Sequence, residues 1–536
     1  MTRWKSRFIV SAFLAILCMM PFQAVSSDLP VGHWAYDYLD RLKVKGLLDD
    51  FLNQTRPISR DDVARALKQV TEMAQAGDPR ITEVERSQLQ WLQMEFVEEL
   101  QSCSLSVEKS ERHLFNWVTQ KQGLILDLSG RLWSYWAGVS GTSQRILDTR
   151  VAIQARGFLG QELTYGACFV KGQVRSNLDR VTKDDVGLTG YFSSQGHYAY
   201  YDWSHAHMTL RFSRLEIQLG RQPISWGPGI RGNLVLSDYA PAYDYLQIRA
   251  QVRRIKFVHL HGFLLSDVKT ERQTPEGFTR IEYASKYIAA HRLELGLVPW
   301  ASLGISEVVI YGERGVDLAY FNPLVFFWSA QHGSHDRDNE ILGADLRVRP
   351  IQGLSLYGAL FIDELYLKKL FAQDARNKVA FQGGVYLVDP PGLENTDFRL
   401  EYARVQPCVY THKFPVNTYL HDGVALGHWL EENGDDLYFA ARHRISRQLR
   451  ITAYLARTRQ GESGQQPWCH AESWRYSFLW GIIDQTLTWG VRLEGEIIQQ
   501  LRASLNYQRQ QRENKDHLTG NDETFNELSL ALSFEY

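Results

Sequence analysis

The last nine residues, Leu528-Ser529-Leu530-Ala531-Leu532-Ser533-Phe534-Glu535-Tyr536, alternate apolar with small or polar side chains and end on an aromatic. Successive side chains of a strand point to opposite faces. Leu528, Leu530, Leu532, Phe534 and Tyr536 therefore face one way, and Ser529, Ala531, Ser533 and Glu535 the other. A wall with hydrocarbon on one side and water on the other needs this pattern. It recurs near 122–136, 145–157, 161–173, 197–212, 213–221, 245–252, 255–265, 286–297 and 302–311. It continues near 340–350, 353–364, 378–388, 396–405, 435–445, 448–459, 487–497, 500–511 and 524–536, which predicts 18 strands. An even count suits a single-chain antiparallel barrel in an outer membrane.

The connections sort by length. Short turns fall near 157–160, 253–254, 298–301, 351–352, 446–447 and 498–499. Long loops fall near 174–196, 222–244, 266–285, 312–339, 406–434, 460–486 and 512–523. Short turns on the side of both termini and long loops opposite predict periplasmic termini and extracellular loops. Residues 471–484 also alternate, but a strand there would break the parity, so they are assigned to a surface loop. A mean hydropathy of -0.31 excludes a helical membrane bundle, and a net charge of -2 leaves no basic surplus for nucleic acid.

Arg3, Lys5 and Arg7 precede the apolar run Phe8–Met20, and Ala24-Val25-Ser26-Ser27 supplies small residues for cleavage. Residues 1–27 are thus expected to be a secretory signal. Leu17 before Cys18 departs from a lipoprotein signal. Of the remaining cysteines, Cys408 and Cys469 fall in neighbouring long loops on one side, which suggests a disulfide in an oxidising compartment. Cys103 and Cys168 are expected to be free thiols.

Residues 28–120 read as a helical periplasmic segment ahead of a barrel at 121–536. Ser59 is a plausible N-cap for a helix over Ser59–Val70, and Leu89, Leu92, Phe96 and Leu100 mark an amphipathic helix over 81–101. Trp34-Ala35, Gly46-Leu47 and Arg56-Pro57-Ile58-Ser59-Arg60 followed by Asp61-Asp62 make 28–70 resemble one S-layer homology repeat. That resemblance implies contact with peptidoglycan, with Trp34 and Arg60 at the cell-wall positions. A lone copy departs from the usual three, and the plainer reading is a small helical plug or cap.

One stretch goes further: Gly220-Arg221-Gln222-Pro223-Ile224-Ser225-Trp226-Gly227-Pro228-Gly229, followed by Leu236-Ser237. With Asn322-Pro323, Asp338-Asn339, Asp345, Asp363-Glu364 and Asp435-Asp436-Leu437-Tyr438, it resembles the capsule-assembly Wzi-like family of outer-membrane barrels. The resemblance implies a non-catalytic surface barrel that binds and helps retain or assemble capsular or extracellular polysaccharide. It assigns mainly structural roles to Arg221, Gly227, Pro228, Gly229, Asn322, Pro323, Asp338, Asn339 and Asp345.

Aromatic faces stack on the C–H faces of sugar rings, and guanidinium groups pair with uronate carboxylates. Trp226, Arg231, Tyr239, Tyr243, Trp328, Arg337 and Trp429 are accordingly the candidate polysaccharide contacts. The pairs His205/His207 and His259/His261 offer too few ligands for a metal. Adjacent carboxylates at Asp363-Glu364 and Asp435-Asp436 point to opposite strand faces and cannot cooperate as a pair. No cofactor, metal or catalytic site is expected. Expected partners are the polysaccharide, outer-membrane lipid, the barrel-assembly machinery and peptidoglycan. The rival is a sugar-selective or general porin tied to the wall by its N-terminal segment. Against it, the apolar Pro323–Trp328 run suggests that loop 312–339 folds inward as a plug.

Overall fold

The computed structural model describes residues 27–105, 107, 113–119, 121–139, 142–160, 162–183, 187–188, 190–333, 337–364, 377–462, 477–498 and 500–536. Residues 1–26 of the expected signal peptide, Cys469 and residues 471–476 lie outside that set, while 477–483 are loop as expected and Asp484 opens a strand. Eighteen antiparallel strands form a closed barrel. The first six are β1 (Gln122–Val139), β2 (Thr142–Leu159), β3 (Leu163–Ser176), β4 (Tyr198–Phe212), β5 (Leu215–Arg221) and β6 (Asp244–Val252). Next come β7 (Ile255–Leu264), β8 (Lys286–Val298), β9 (Ala301–Gly312), β10 (Asn339–Ile351), β11 (Leu354–Glu364) and β12 (Lys378–Val388). The last are β13 (Thr396–Val405), β14 (Gly434–Arg444), β15 (Leu449–Gln460), β16 (Asp484–Ile498), β17 (Leu501–Glu513) and β18 (Glu523–Glu535).

β18 closes on β1, with Ser529 opposite Tyr135 and Ser533 opposite Arg131. Leu528 and Phe534 are exposed on the outer wall, while Ser529 turns into the lumen. One rim carries the short turns, the other the long loops. Gly160 and Gly353, at φ +68° and +83°, make two of the tight reversals on the turn rim, a conformation that glycine adopts without strain.

The N-terminal segment forms α1 (Ala35–Val44), α2 (Arg60–Gln75), α3 (Glu83–Glu95) and α4 (Val97–Ser102). Ser59 caps α2 by accepting the Asp62 N–H at 3.2 Å, and Thr82 and Glu85 form a capping box on α3. The single helix expected over 81–101 is split at Phe96, which leaves helical geometry at φ -110° and is itself fully buried in the domain's core.

This domain sits in the turn half of the lumen, held by charge. Asp28 accepts two bonds from Arg249 at 3.0 Å, and Asp61 pairs with Arg211 at 2.6 Å. Arg41 pairs with Asp389 at 2.6 Å and contacts Asp397, while Lys45 reaches Asp389 at 2.7 Å. Asp37 faces four arginines of the wall: Arg442 at 2.5 Å, Arg399 at 3.1 Å, Arg444 at 3.3 Å and Arg450 at 3.4 Å. Burial alone would raise the Asp37 pKa, but these guanidiniums together hold it well below the carboxylate range. The segment is thus a plug in the lumen. Arg60 is 4% exposed and pairs with Glu99 at 2.6 Å and Glu95 at 3.0 Å. Its charge is spent inside the domain and not presented to a wall polymer.

Two loops fill the lumen above the plug along β5–β13. From 222–243, Trp226, Leu234 and Leu236 pack with Tyr410, Tyr419 and Leu426 of 406–433 against the inward faces of Leu260, Ile310 and Phe361. The Tyr410 and Tyr419 hydroxyls donate to the carbonyls of Leu234 and Val235, each at 2.6 Å. Ser225-Trp226 also pairs antiparallel with Thr55-Arg56, so this loop and the plug share a small sheet inside the barrel.

Loop 313–338 behaves differently from the expectation. Its helices α5 (Leu318–Phe321) and α6 (Phe327–Gly333) lie on the outer wall. Strand parity makes this unambiguous. Arg292 and Ser306 face the lumen, where Arg292 bonds Thr55 of the plug, so His291 and Glu307 face outward. Phe327 stacks on His291 with centroids 4.0 Å apart, and the Trp328 N–H donates to Glu307 at 3.0 Å. The hairpin covers a polar patch of the wall that also includes His259 and His261, 2% and 1% exposed. The physical reason is solvation, since such groups facing hydrocarbon would lack partners. Leu318 and Leu324, on the hairpin's other side, are 80% and 90% exposed.

Candidate functional site

The expected polysaccharide contacts do not converge. Trp226 and Tyr243 are core residues of the inward loops, 1% and 5% exposed, which removes them from any surface site. Trp328 lies on the outer wall, Tyr239 on an inward-folded loop and Arg337 at the loop rim. Arg231 and Trp429 do meet. The Arg231 guanidinium lies 5.2 Å from the Trp429 ring and 5.0 Å from the Tyr438 ring. It also pairs with Asp436 at 3.1 Å.

The motif residues hold the fold. The Gly229 N–H donates to Asn233 at 2.8 Å, and a side chain at Gly227, whose φ is +136°, would collide with Asn233. Pro228 between them is buried. Arg221 pairs with Asp244 at 3.3 Å, and the Asn322 side chain accepts the Leu324 N–H at 3.1 Å just before Pro323 turns the chain. Asp338 accepts from Arg314 and Tyr320, Asn339 donates to the Asn417 carbonyl at 2.9 Å, and Asp345 pairs with Arg292 at 2.7 Å. Asp435 and Asp436 diverge, one to Arg459 outside and one to Arg231 inside.

Cys408 is disulfide-bonded, and Cys469, its expected partner, lies outside the described residues. Cys103 and Cys168 are free. Thiol titration of the mature, denatured, unreduced protein is expected to find two thiols. Four would contradict a Cys408–Cys469 bond.

The lumen is uneven around its circumference. Along β5–β13 it is filled with apolar side chains, as above. Along β14–β18 and β1–β4 it is less completely filled. Between the plug and β1, β17 and β18 lies a cavity of about 460 Å³ lined by His33, Trp91, Arg131, Cys168 and Arg502. A second cavity of about 460 Å³ shares Trp91, Arg131 and Arg502 with it and adds Trp34, Trp133, Arg492 and Asn506. The two form one cleft, and its lining includes Ser446 and Gln448 at the turn rim. Further up the same wall, lumen-facing Tyr454, Gln508 and Gln510 are only partly buried. Aromatic rings are prominent here. Trp34 stacks on Trp91 at 4.3 Å, and Arg502 lies 5.0 and 4.9 Å from the same two rings. Tyr201 stacks on Trp203 at 5.4 Å a few strands away.

Sequence reasoning missed this cleft because it looked for aromatics in loops. The available signal was register. Arg131, Trp133 and Tyr135 share the lumen-facing parity that Ser529–Glu535 define across β18. Among the described residues, no group of three or more His, Cys, Asp or Glu side chains is arranged to hold a metal.

No curated protein matches the chain in sequence. Among solved structures, it is similar to Wzi of Escherichia coli, an outer-membrane protein involved in group 1 capsule assembly and described as a carbohydrate-binding β-barrel. The TM-score is 0.59 at 14% identity, covering 95% of this chain and 99% of that one, so the likeness is one of fold. OccAB2 of Acinetobacter baumannii aligns over 77% of this chain and 98% of its own, at 8% identity and a TM-score of 0.46, too distant to weigh. The family model for the capsule assembly protein Wzi matches residues 138–526, more than half of the sequence and nearly all of the barrel. The chain therefore belongs to the Wzi capsule assembly family.

Proposed function

We propose that this barrel binds capsular or extracellular polysaccharide and helps retain or assemble it at the cell surface, without catalysis. In this reading the loop rim faces outward and both termini lie in the periplasm. The observation that carries it is that the chain fills its own lumen. A helical plug occupies the turn half, and the loops 222–243 and 406–433 build an apolar core in the loop half. A wide channel is incompatible with that filling. Family membership and the carbohydrate-binding description of the Escherichia coli relative support the same reading. Outer-membrane lipid would meet the outer wall, and the strand ending at Tyr536 would be read by the barrel-assembly machinery.

The second reading, a sugar-selective or general porin, is favoured by the unfilled cleft along β14–β18 and β1–β4. Two measurements separate them. In planar bilayers the purified protein is expected to give no large steady conductance, and it should bind polysaccharide isolated from its own strain. Large stable channels without polysaccharide binding would overturn the first reading in favour of the second.

A further inference from the structure

Most arginines that face the plug are already committed to a carboxylate. Arg249 holds Asp28, Arg292 holds Asp345, and Arg450 holds Glu494 at 3.0 Å as well as Asp37. Three on the strands that wall the cleft are not. The side chains of Arg131 on β1, Arg492 on β16 and Arg502 on β17 make no ion pair or hydrogen bond among the described residues. Arg492 rests 5.7 Å from the Tyr454 ring, and Arg502 lies over the tryptophan pair.

The three share one wall. Arg131 and Arg502 flank Ser533 in a single cross-strand row, since Ser533 is opposite Arg131 on one side and Arg502 on the other. Neighbouring strands are about 4.8 Å apart, so the two guanidiniums stem from positions about 10 Å apart. Arg492 projects from a row nearer the loop end, where it is opposite Asn506. The upper cavity is lined by five arginines and only two glutamates. Of those two, Glu494 is taken by Arg450, and Glu496 accepts the Gln500 N–H at 3.2 Å. A confined cleft with unspent positive charge concentrates anions.

We propose that this cleft binds the carboxylate-bearing residues of an acidic saccharide, which deepens the polysaccharide reading above and rests on it. Each element of the ligand has a counterpart. The guanidinium fork matches a uronate carboxylate through two parallel N–H···O bonds. The partly exposed indole of Trp133 suits the C–H face of a pyranose ring. Asn506 and the wall serines offer donors and acceptors to hydroxyls. The combined cavities fall in the size range of ligand pockets, about 300–1,000 Å³. A neutral sugar would use the rings and hydroxyl partners but would leave the three guanidiniums unmatched.

The test is isothermal titration of the full-length protein in detergent with trigalacturonate and with maltotriose, as acidic and neutral probes of equal length. Wild type is expected to bind trigalacturonate at least about tenfold more tightly than maltotriose. The double variant R131Q/R502Q should lose about tenfold or more of that affinity, and R492Q a smaller part. R272Q, on an exposed hairpin, should match wild type. Retention of the heat-modifiable folded band on gels checks that the variants remain folded. Equal affinity for the two probes, or undiminished trigalacturonate binding by R131Q/R502Q, would overturn the cleft. Titration with the strain's own polysaccharide separates the two levels. Wild-type binding that survives unchanged in R131Q/R502Q refutes the cleft and leaves the proposed function standing. No binding by wild type refutes both.

Discussion

Asp37→Ala is expected to loosen the plug and open the barrel. The carboxylate is the shared counter-ion of Arg399, Arg442, Arg444 and Arg450, which β13, β14 and β15 bring to one spot. Arg444 and Arg450 keep other carboxylate partners in Asp397 and Glu494, but Arg399 and Arg442 keep none among their ion pairs. Removing one partner of a buried ionic group costs about 3–5 kcal/mol, mostly because the remaining charge is left uncompensated. Limited proteolysis should then cut within residues 28–105, and conductance in planar bilayers should rise from near zero to stable channels. Proteolysis and conductance indistinguishable from wild type would sink this account of the lock. The same group gives the plug an acid limit. Its folded pKa is depressed, so its contribution is complete above the ordinary carboxylate value of about 4 and is lost as pH falls through the folded value. Wild-type conductance should therefore appear on acidification below about pH 4, and Asp37→Ala should weaken that dependence, leaving the part carried by Asp28 and Asp389, which are held low in the same way.

The second large effect is expected at Trp226. Its ring is 1% exposed at the centre of the core built by 222–243 and 406–433, its N–H donates to the Leu236 carbonyl at 2.9 Å, and it lies opposite Thr55 of the plug strand. Trp226→Ala removes the largest fully buried side chain, for which core truncations cost about 3–5 kcal/mol. The measurement is the temperature at which the folded, fast-migrating gel band converts to the unfolded one. That temperature should fall by many degrees for Trp226→Ala and stay put for Arg221→Gln, whose ion pair with Asp244 is exposed. An unchanged transition for Trp226→Ala would show that the loop core contributes little to the barrel.

The wall was legible and its contents were not. Alternation is imposed on every strand by lipid on one face and water on the other, so all 18 strands could be counted from parity alone. Nothing comparable constrains a loop. The Pro323–Trp328 run is apolar enough to fill a lumen or to lie on the outer wall, and its own residues do not say which. The deciding signal lay elsewhere, in His259, His261, His291 and Glu307. Their register puts polar groups on the lipid face, where something must cover them. Parity had paired each histidine doublet on one strand face but did not connect that face to the loop. The plug's lock was illegible for a different reason. Asp37 and Arg450 are 413 residues apart, and no local pattern links one carboxylate to a guanidinium so remote. The cleft fell between the two cases, since register gave the orientation of Arg131 and Arg502 but not the absence of partners.

That sequence distance has a consequence for assembly. The helical domain is complete by Ser102, yet its anchors arrive in order along the chain: Arg211, then Arg249, then Asp389 and Asp397, and last Arg450 on β15. The first unit to emerge is thus the last to be fastened. A barrel stalled before its fifteenth strand holds its stopper by the earlier ion pairs but lacks the Arg450 contact that completes the lock. Closure of the final strands therefore completes the lock and the wall together.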